Sequence, residues 1–497
     1  MAGNAEASVV SQKHKKLLEH EGFLYRLDKQ TGDKSTWRCV KEKALLCKGR
    51  LWKICDGTHE MRVDHNHAPN RGEIEVRKFV KAVKEDAKRS LGSPSQIVSD
   101  RLLELPLGAA SALPPLLQLK RHVMRARSEN NPPCPTELKN LVFPDELKLD
   151  HDGEPFLLFD DGPQAGDERV IVFGTSDFLQ GLRRSRIWLM DGTFSVAPRL
   201  FYQLYTINFM ENGACYVALY CLLTAKNRST YLHLLNVVKG LLGQTPLVEI
   251  GMIDFEAAYI RAYSQIFPTV RLKGCHFHFA QAIWRRIQSY PQVRGNYVKD
   301  SNYQLQIRHF IALAFVRSDK VREYFVALLR TPFFSENMEE LNGLVKYFQR
   351  TWVGIPVENG FREPYFDIDM WNCYESQMCA APRTNNAVEA WHRGFSSIIH
   401  QANPTIWKFL DAIKRNHALS QLRREQISAG VQPQKRRKCY KDHDERLASI
   451  VKTFETAEPP KYLRAIALNV DFPAQIGLTQ SVSTDELDPG ASHVGIH

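Results

Sequence analysis

No run of about 18 apolar residues occurs anywhere in the 497-residue chain, and a membrane-spanning helix needs that length. Met1 to Lys16 is polar and then basic, without the apolar centre of a signal peptide, so an intracellular setting away from membranes is expected. Cysteine is sparse. Ten of them, scattered over this length, do not make a secreted disulfide framework. In a reducing compartment they are free thiols or metal ligands, and spacing decides which. No internal repeat is visible, which sets repeat arrays aside.

What is present is ample apolar material and an excess of positive charge. Hydrophobic residues make up 43%, enough for a sizeable core, and the length suggests about three domains. A formal charge of +11 and a pI near 9.1 suit a polyanionic partner such as nucleic acid. That signal gains meaning only where basic residues fall beside a recognisable site.

Residues 1–19 read as a polar lead-in. From 23 to about 67 the pattern is β-like, in short runs such as Phe23-Leu24-Tyr25, Ser35-Thr36-Trp37-Arg38-Cys39-Val40 and Arg50-Leu51-Trp52-Lys53-Ile54. Residues 73–128 turn helical, with Ser93-Pro94-Ser95 as a helix start, and read as a DNA-binding or dimerisation region. Residues 129–184 read as a linker with edge elements. Between 186 and 288 an α/β layout is expected. One strand over 187–190 ends at Asp191, and antiparallel strands over 201–209 and 214–223 follow. A helix over 229–242 precedes a strand over 248–253 that ends at Asp254. Next come a helix, a strand over 270–277 and a helix over 280–288. Residues 289–380 look helical and irregular, and a late helix runs from Asn386 to about 400. Residues 401–473 form a helical basic region, and 474–497 a polar tail expected to be disordered.

Cys39, Cys47, His65 and His67 are a candidate two-Cys, two-His zinc set, the staple a small β domain needs. On spacing alone, two buried thiols and two surface histidines fit as well. The surrounding residues add specificity. Phe23-Leu24-Tyr25, Trp37-Arg38-Cys39, Cys47-Lys48-Gly49-Arg50 and His65-Asn66-His67 together resemble the FLYWCH-type zinc finger over residues 20–70. The resemblance implies Zn²⁺ at those four residues and binding of DNA or protein; Cys55 is a spare thiol. Lys41, Lys43, Lys48, Arg50, Lys53 and Arg62, interleaved with Trp37 and Trp52, suit phosphate contact.

Asp191 and Asp254 each close a predicted strand, and ligand chemistry in α/β sheets collects at the carboxyl ends of strands. Phosphodiester chemistry uses two hard cations about 4 Å apart, held by shared carboxylates. Taken singly, Asp191-Gly192 is also a turn dipeptide, Asp254 a helix N-cap and Glu389 a solvated helix face. Four ordered motifs carry a resemblance: Trp188-Leu189-Met190-Asp191-Gly192-Thr193-Phe194, Ile253-Asp254-Phe255-Glu256-Ala257-Ala258, Gly274-Cys275-His276-Phe277-His278 and Thr384-Asn385-Asn386-Ala387-Val388-Glu389-Ala390-Trp391-His392. They resemble the Mutator-like element (MULE) transposase domain of the DDE superfamily over residues 185–400.

That resemblance implies a ribonuclease-H-like core with a helical insertion over about 289–380, preceded by the β-rich zinc module and a helical region. It implies Asp191, Asp254 and Glu389 as the catalytic, Mg²⁺- or Mn²⁺-binding triad of a transposase, acting by phosphoryl transfer without a covalent enzyme intermediate. Cys275 and His278 form the Cys-x-x-His signature after the second aspartate. They are expected to be structural or to position DNA, because two ligands do not make a zinc site. Arg285 and Arg286 either pair with DNA beside Trp284 or cover a core tryptophan. The expected partners are double-stranded DNA and a second copy of the chain, since paired element ends call for a homo-oligomer; the expected location is the nucleus. Gln434-Lys435-Arg436-Arg437-Lys438 serves either as a localisation patch or as a DNA-facing segment. The competing reading is a domesticated, non-catalytic DNA-binding or chromatin regulatory protein.

Overall fold

The computed structural model describes residues 9–10, 16–54, 57–90, 92–129, 132–166, 168–379, 383–399, 402–433 and 438–472. Cys55, most of the basic run at 434–438 and the 474–497 tail lie outside the described residues. The chain forms two units, Met1–Cys134 and Pro135–His497.

In the first unit, strands β1 (Val9–Val10), β2 (Lys16–His20), β3 (Phe23–Thr31) and β4 (Lys34–Cys39) lead through helix α1 (Glu42–Leu45) to β5 (Arg50–Ile54) and β6 (His59–Val63). They form one sheet in sequential order. Strand β2 lies within the stretch read from sequence as a polar lead-in; its two adjacent leucines show why it pairs. Neighbouring residues of a strand face opposite sides. Leu18 and Tyr25 therefore pack with Leu51 on one face, while Leu17 and Leu24 meet Ile74 on the other. Ile74 belongs to helix α2 (Arg71–Arg89), capped by Asn70, whose side chain accepts from the Glu73 N–H at 2.9 Å. Helices α3 (Pro94–Leu102) and α4 (Leu116–Ser128) complete a three-helix cluster. Its core is Phe79, Val83, Ala87, Ile97, Val98, Leu119, Val123 and Ala126, at helical spacing. Ser93 caps α3 by accepting from Gln96 N–H at 3.1 Å.

The second unit is built on a seven-stranded sheet. After helix α5 (Asp145–Lys148), its elements are β7 (Leu157–Asp160), β8 (Ile171–Phe173), α6 (Ser176–Arg184), β9 (Ile187–Thr193), β10 (Gln203–Glu211), β11 (Ala214–Leu223), α7 (Arg228–Leu242), β12 (Ile250–Ile253), α8 (Ala257–Ile266), β13 (Arg271–Gly274) and α9 (His276–Gln288). The strand order is β13-β12-β9-β10-β11-β8-β7. Strands β9, β10 and β11 pair antiparallel, while β12 lies parallel to both β9 and β13. Two expectations shift. Strand β9 continues through Asp191 to Thr193 instead of ending before it. The strand expected over 270–277 stops at Gly274, because Cys275 caps α9 and Phe279, Ile283 and Ile287 follow at helical spacing. The edge is locked by buried Arg169, which donates to both Asp160 carboxylate oxygens at 2.7 Å and to the Leu138 and Leu141 carbonyls.

A helical layer follows: α10 (Pro291–Lys299), α11 (Ser301–Ala312), α12 (Val321–Leu329), α13 (Pro332–Glu336), α14 (Met338–Phe348), the hairpin β14 (Ile355–Val357) and β15 (Gly360–Arg362), α15 (Ile368–Trp371) and α16 (Tyr374–Met378). Aromatic contacts join it to the sheet layer: Phe279 stacks on Trp371, and Phe255 meets Trp352 edge-on, each at 4.9 Å. Then come α17 (Asn386–Ile399), α18 (Ile406–Ser428), α19 (Lys438–Val451) and α20 (Pro459–Ala467). Helix α20 packs on α11 and α12, so the chain's last helices finish the core of the insertion. Among the described residues no helix is long and apolar enough to cross a membrane.

Fully buried His417 of α18 lies 3.1 Å through Nε2 from Thr175 Oγ1 and against the Phe178 ring. Burial pulls its pKa down to about 4, despite the opposing charges of Asp150 and Asp177. Its contribution is complete above the unfolded value of about 6.5 and is lost as pH falls from there towards 4. That difference corresponds to about 3 kcal/mol. In urea titrations, His417→Gln should flatten the loss of stability between pH 6.5 and 4 by that order; an unchanged pH profile would discard the assignment.

Candidate metal centres

Strand alternation explains how the acids come together. On β9, Trp188 and Met190 enter the main core, while Leu189 packs with Met252 of β12 and Val388 of α17. Asp191 is two residues beyond Leu189, and Asp254 two beyond Met252, so both acids fall on the face that α17 covers. Helix α17 turns Val388, His392, Phe395 and Ile399 inward, with Glu389 beside Val388.

Asp191 is 6% exposed. One of its carboxylate oxygens accepts from Gly192 N–H at 2.8 Å, and the other lies 3.3 Å from His392 Nδ1. Asp254 Oδ1 is 2.5 Å from His278 Nδ1. Cys275, His278 and Glu389 each present a ligand atom, and these lie within 4.8 Å of one another. Asn385, fully buried, fastens the start of α17: its side-chain amide donates to the Met190 carbonyl at 3.1 Å, and its backbone N–H to Cys275 Sγ at 3.2 Å.

Burial raises the pKa of Asp254, and the nearby Asp191 charge adds to this against the pull of His278. Glu389 is likewise raised, by burial and by the two aspartates. Asp191 goes the other way: burial opposes ionisation, but His392 and His278 together hold its carboxyl below the usual range. His278 is raised well above the ordinary histidine range, because Asp254 and Cys275 outweigh its burial. The cluster is thus a set of mutually repelling acids steadied by two imidazoles.

In the first unit, the ligand atoms of Cys39, Cys47, His65 and His67 also lie within 4.8 Å of one another. Cys39 closes β4, Cys47 stands just before β5, and the histidines follow β6, so the sheet brings them to one edge. Cys39 Sγ is 3.3 Å from His67 Nε2, and Cys47 Sγ 3.3 Å from His65 Nδ1. Each remaining ring nitrogen is fixed from outside. His65 Nε2 is 2.7 Å from Tyr25 Oη, and His67 Nδ1 is 3.0 Å from the Ala68 carbonyl. Backbone N–H groups of Lys41 and Gly49 donate to the two sulfurs. Phe23 stacks on His65 at 3.7 Å. The donor set and its fixed outer partners fit a structural Zn²⁺.

Residues 8–68 match the FLYWCH zinc finger domain family, and residues 187–282 the MULE transposase domain family. The chain carries a FLYWCH zinc finger followed by a MULE transposase domain. Over 63 residues it is 38% identical to the FLYWCH-type zinc finger-containing protein 1 of Mus musculus; this stretch is 13% of the chain and 9% of the mouse protein.

Several basic residues of the finger are engaged internally. Arg26, Arg38 and Arg50 converge on Glu42, whose pKa falls to about 2, with the Arg26 hydrogen bond as the chief cause. Lys41 pairs with Glu73, while Lys43 and Lys48 are exposed. Lys34 and Arg62 both lie over the Trp52 ring. In the transposase domain, Arg285 lies near Asp254 and burial lowers its pKa. Arg286 sits over the Tyr290 and Tyr347 rings, and Trp284 packs on Tyr297 and Phe472. Asn385 and His392 stand in the last of the four motifs, where nothing in the sequence marks either for a role. Their side chains reach β9 only through the fold.

A Cβ on Gly49 would stand 2.7 Å from the His65 ring. Gly49→Ala should therefore weaken zinc binding by about 10- to 100-fold, the scale of losing an outer-shell partner; competition with a chromophoric chelator measures this, and equal affinity would refute it. Chelation should also change Trp37 and Trp52 fluorescence cooperatively, since zinc affinity and finger folding are one free energy. Fluorescence that stays native in metal-free protein would show that the sheet folds without the ion.

Proposed function

We propose that this chain is a DNA transposase of the Mutator-like type, binding element ends and cutting and joining strands by metal-dependent phosphoryl transfer. The observation that carries the reading is the convergence of Asp191, Asp254 and Glu389, from β9, the end of β12 and α17, on one face of the sheet. Three antiparallel strands followed by two parallel ones, with acids on adjacent members, support a ribonuclease-H-like core.

The site suits a hard divalent cation by its donors. Three carboxylates supply oxygen ligands, and Glu389 Oε1 is buried with no hydrogen-bond partner. Asp191, Asp254 and Glu389 would hold Mg²⁺ or Mn²⁺. Such cations, when bound, stabilise charge on the attacking and leaving oxygens of a phosphodiester. The protein's own groups set the geometry. His278 Nδ1 holds a proton against Asp254, and His392 orients Asp191. Arg285, close to Asp254, is placed to pair a DNA phosphate.

The finger supplies recognition through Lys48 and Lys53 near Trp52, Arg50 being held by Glu42, with helices α2–α4 as a second surface or a dimer contact. A homo-oligomer working in the nucleus holds both ends of an element. The test is Mn²⁺-dependent nicking of supercoiled plasmid DNA by the full chain. Asp191→Asn, which keeps the size of the side chain, should lower the rate by about 10²-fold or more, the several kcal/mol supplied by metal-assisted charge stabilisation. Equal nicking by both proteins, or none by wild type, would leave the domesticated DNA-binding reading in its place.

A further inference from the structure

Cys275 is fully buried at the cap of α9, and His278 lies one turn on. A thiol and an imidazole alone do not make a metal site. The fold adds a third donor from far along the chain, because Glu389 of α17 comes within 4.8 Å of both ligand atoms.

The sulfur's surroundings repeat those of the finger. Cys39 and Cys47 each accept a backbone N–H, from Lys41 and Gly49 at 3.3 and 3.4 Å. Cys275 accepts one from Asn385 at 3.2 Å. In all three the sulfur takes a backbone N–H as its hydrogen-bond partner, the contact commonly made around a metal-bound sulfur. Buried Cys373 differs in geometry: its thiol donates to the Trp371 carbonyl at 3.6 Å. Glu389 meanwhile keeps an unpartnered oxygen, Oε1, inside the cluster.

We propose that Cys275, His278 and Glu389 form a second transition-metal site that takes a borderline divalent cation of the Zn²⁺ class. Soft sulfur with borderline nitrogen selects against Mg²⁺, which prefers oxygen alone. Three protein ligands leave one position open, as in zinc sites that bind substrate or water. Sharing Glu389 couples this site to the acid cluster. The assignment goes beyond the transposase reading and stands without strand cleavage.

The test is zinc content of the full chain after dialysis against Mg²⁺, by mass spectrometry, with cobalt substitution to report thiolate ligation. Wild type should hold about two equivalents, one of them in the finger. Cys39→Ser should remove the finger's share. Cys275→Ser should halve the total and remove part of the sulfur-to-cobalt absorption in the near ultraviolet. Glu389→Gln should also halve the total without altering the buried sulfur, which guards against a Cys275 variant that merely misfolds. Asp191→Asn should keep about two equivalents while losing nicking, so failure of the transposase reading and failure of this one are told apart. One equivalent in wild type, or two in both Cys275→Ser and Glu389→Gln, would overturn the site.

Discussion

Strand β9 is paired on both sides up to Leu189, and the acid cluster forms where the pairing with β12 stops. Hydrogen bonds hold it antiparallel to β10 on one side, with Asp191 opposite Thr206, and parallel to β12 on the other, with Leu189 opposite Met252. Its register is fixed by what each face meets. Trp188 and Met190 fill the core under α7 and α8, while Leu189 and Asp191 look towards α17. A slip of one residue would send Asp191 into the apolar core and Met190 out of it. Burying an unpaired carboxylate costs several kcal/mol, so the slipped register is strongly disfavoured.

Helix α17 is held to this face by polar contacts as well as by Val388. Asn385 ties its first turn to the Met190 carbonyl and the Cys275 sulfur, and His392 meets Asp191 one turn beyond Glu389. The acids thus sit among imidazoles and amide donors whose positions are set before any ligand arrives. Such preorganisation is what charge stabilisation in a dry site requires. The finger follows the same logic on a smaller scale, with Tyr25 and Ala68 orienting its two histidines.

Much of this was legible in the residues. The four finger ligands, and the acids after Met190 and Ile253, stand in short apolar contexts whose strand character is plain. The antiparallel pair β10 and β11 follows from the short link between two apolar runs. Other features were not legible because they arise between distant segments. Glu389 looks like any helical surface acid until α17 lies across β9. Lys16–His20 reads as polar, yet Leu17 and Leu18 each find an apolar partner once β3 is beside them. Basic residues of the finger read as one patch, whereas Arg26, Arg38 and Arg50 are drawn together around a single carboxylate, Glu42. Pairing geometry, not composition, decides which charges face outward.

The contacts ahead of α17 reach further along the chain than the acids themselves. Arg383, two residues before Asn385, donates through its guanidinium to the Asp444 carboxylate of α19 at 2.7 Å, while its backbone carbonyl accepts from His276 N–H at 3.0 Å. Gln377 also donates to the Asp444 carbonyl. A reading frame cut short before α19 would leave β9–β13 with all their partners, yet the segment leading into Glu389 would lose its anchor. Loss of the far end would therefore open the core of the helical layer, where α20 packs on α11 and α12, and free the approach to α17 in a single step.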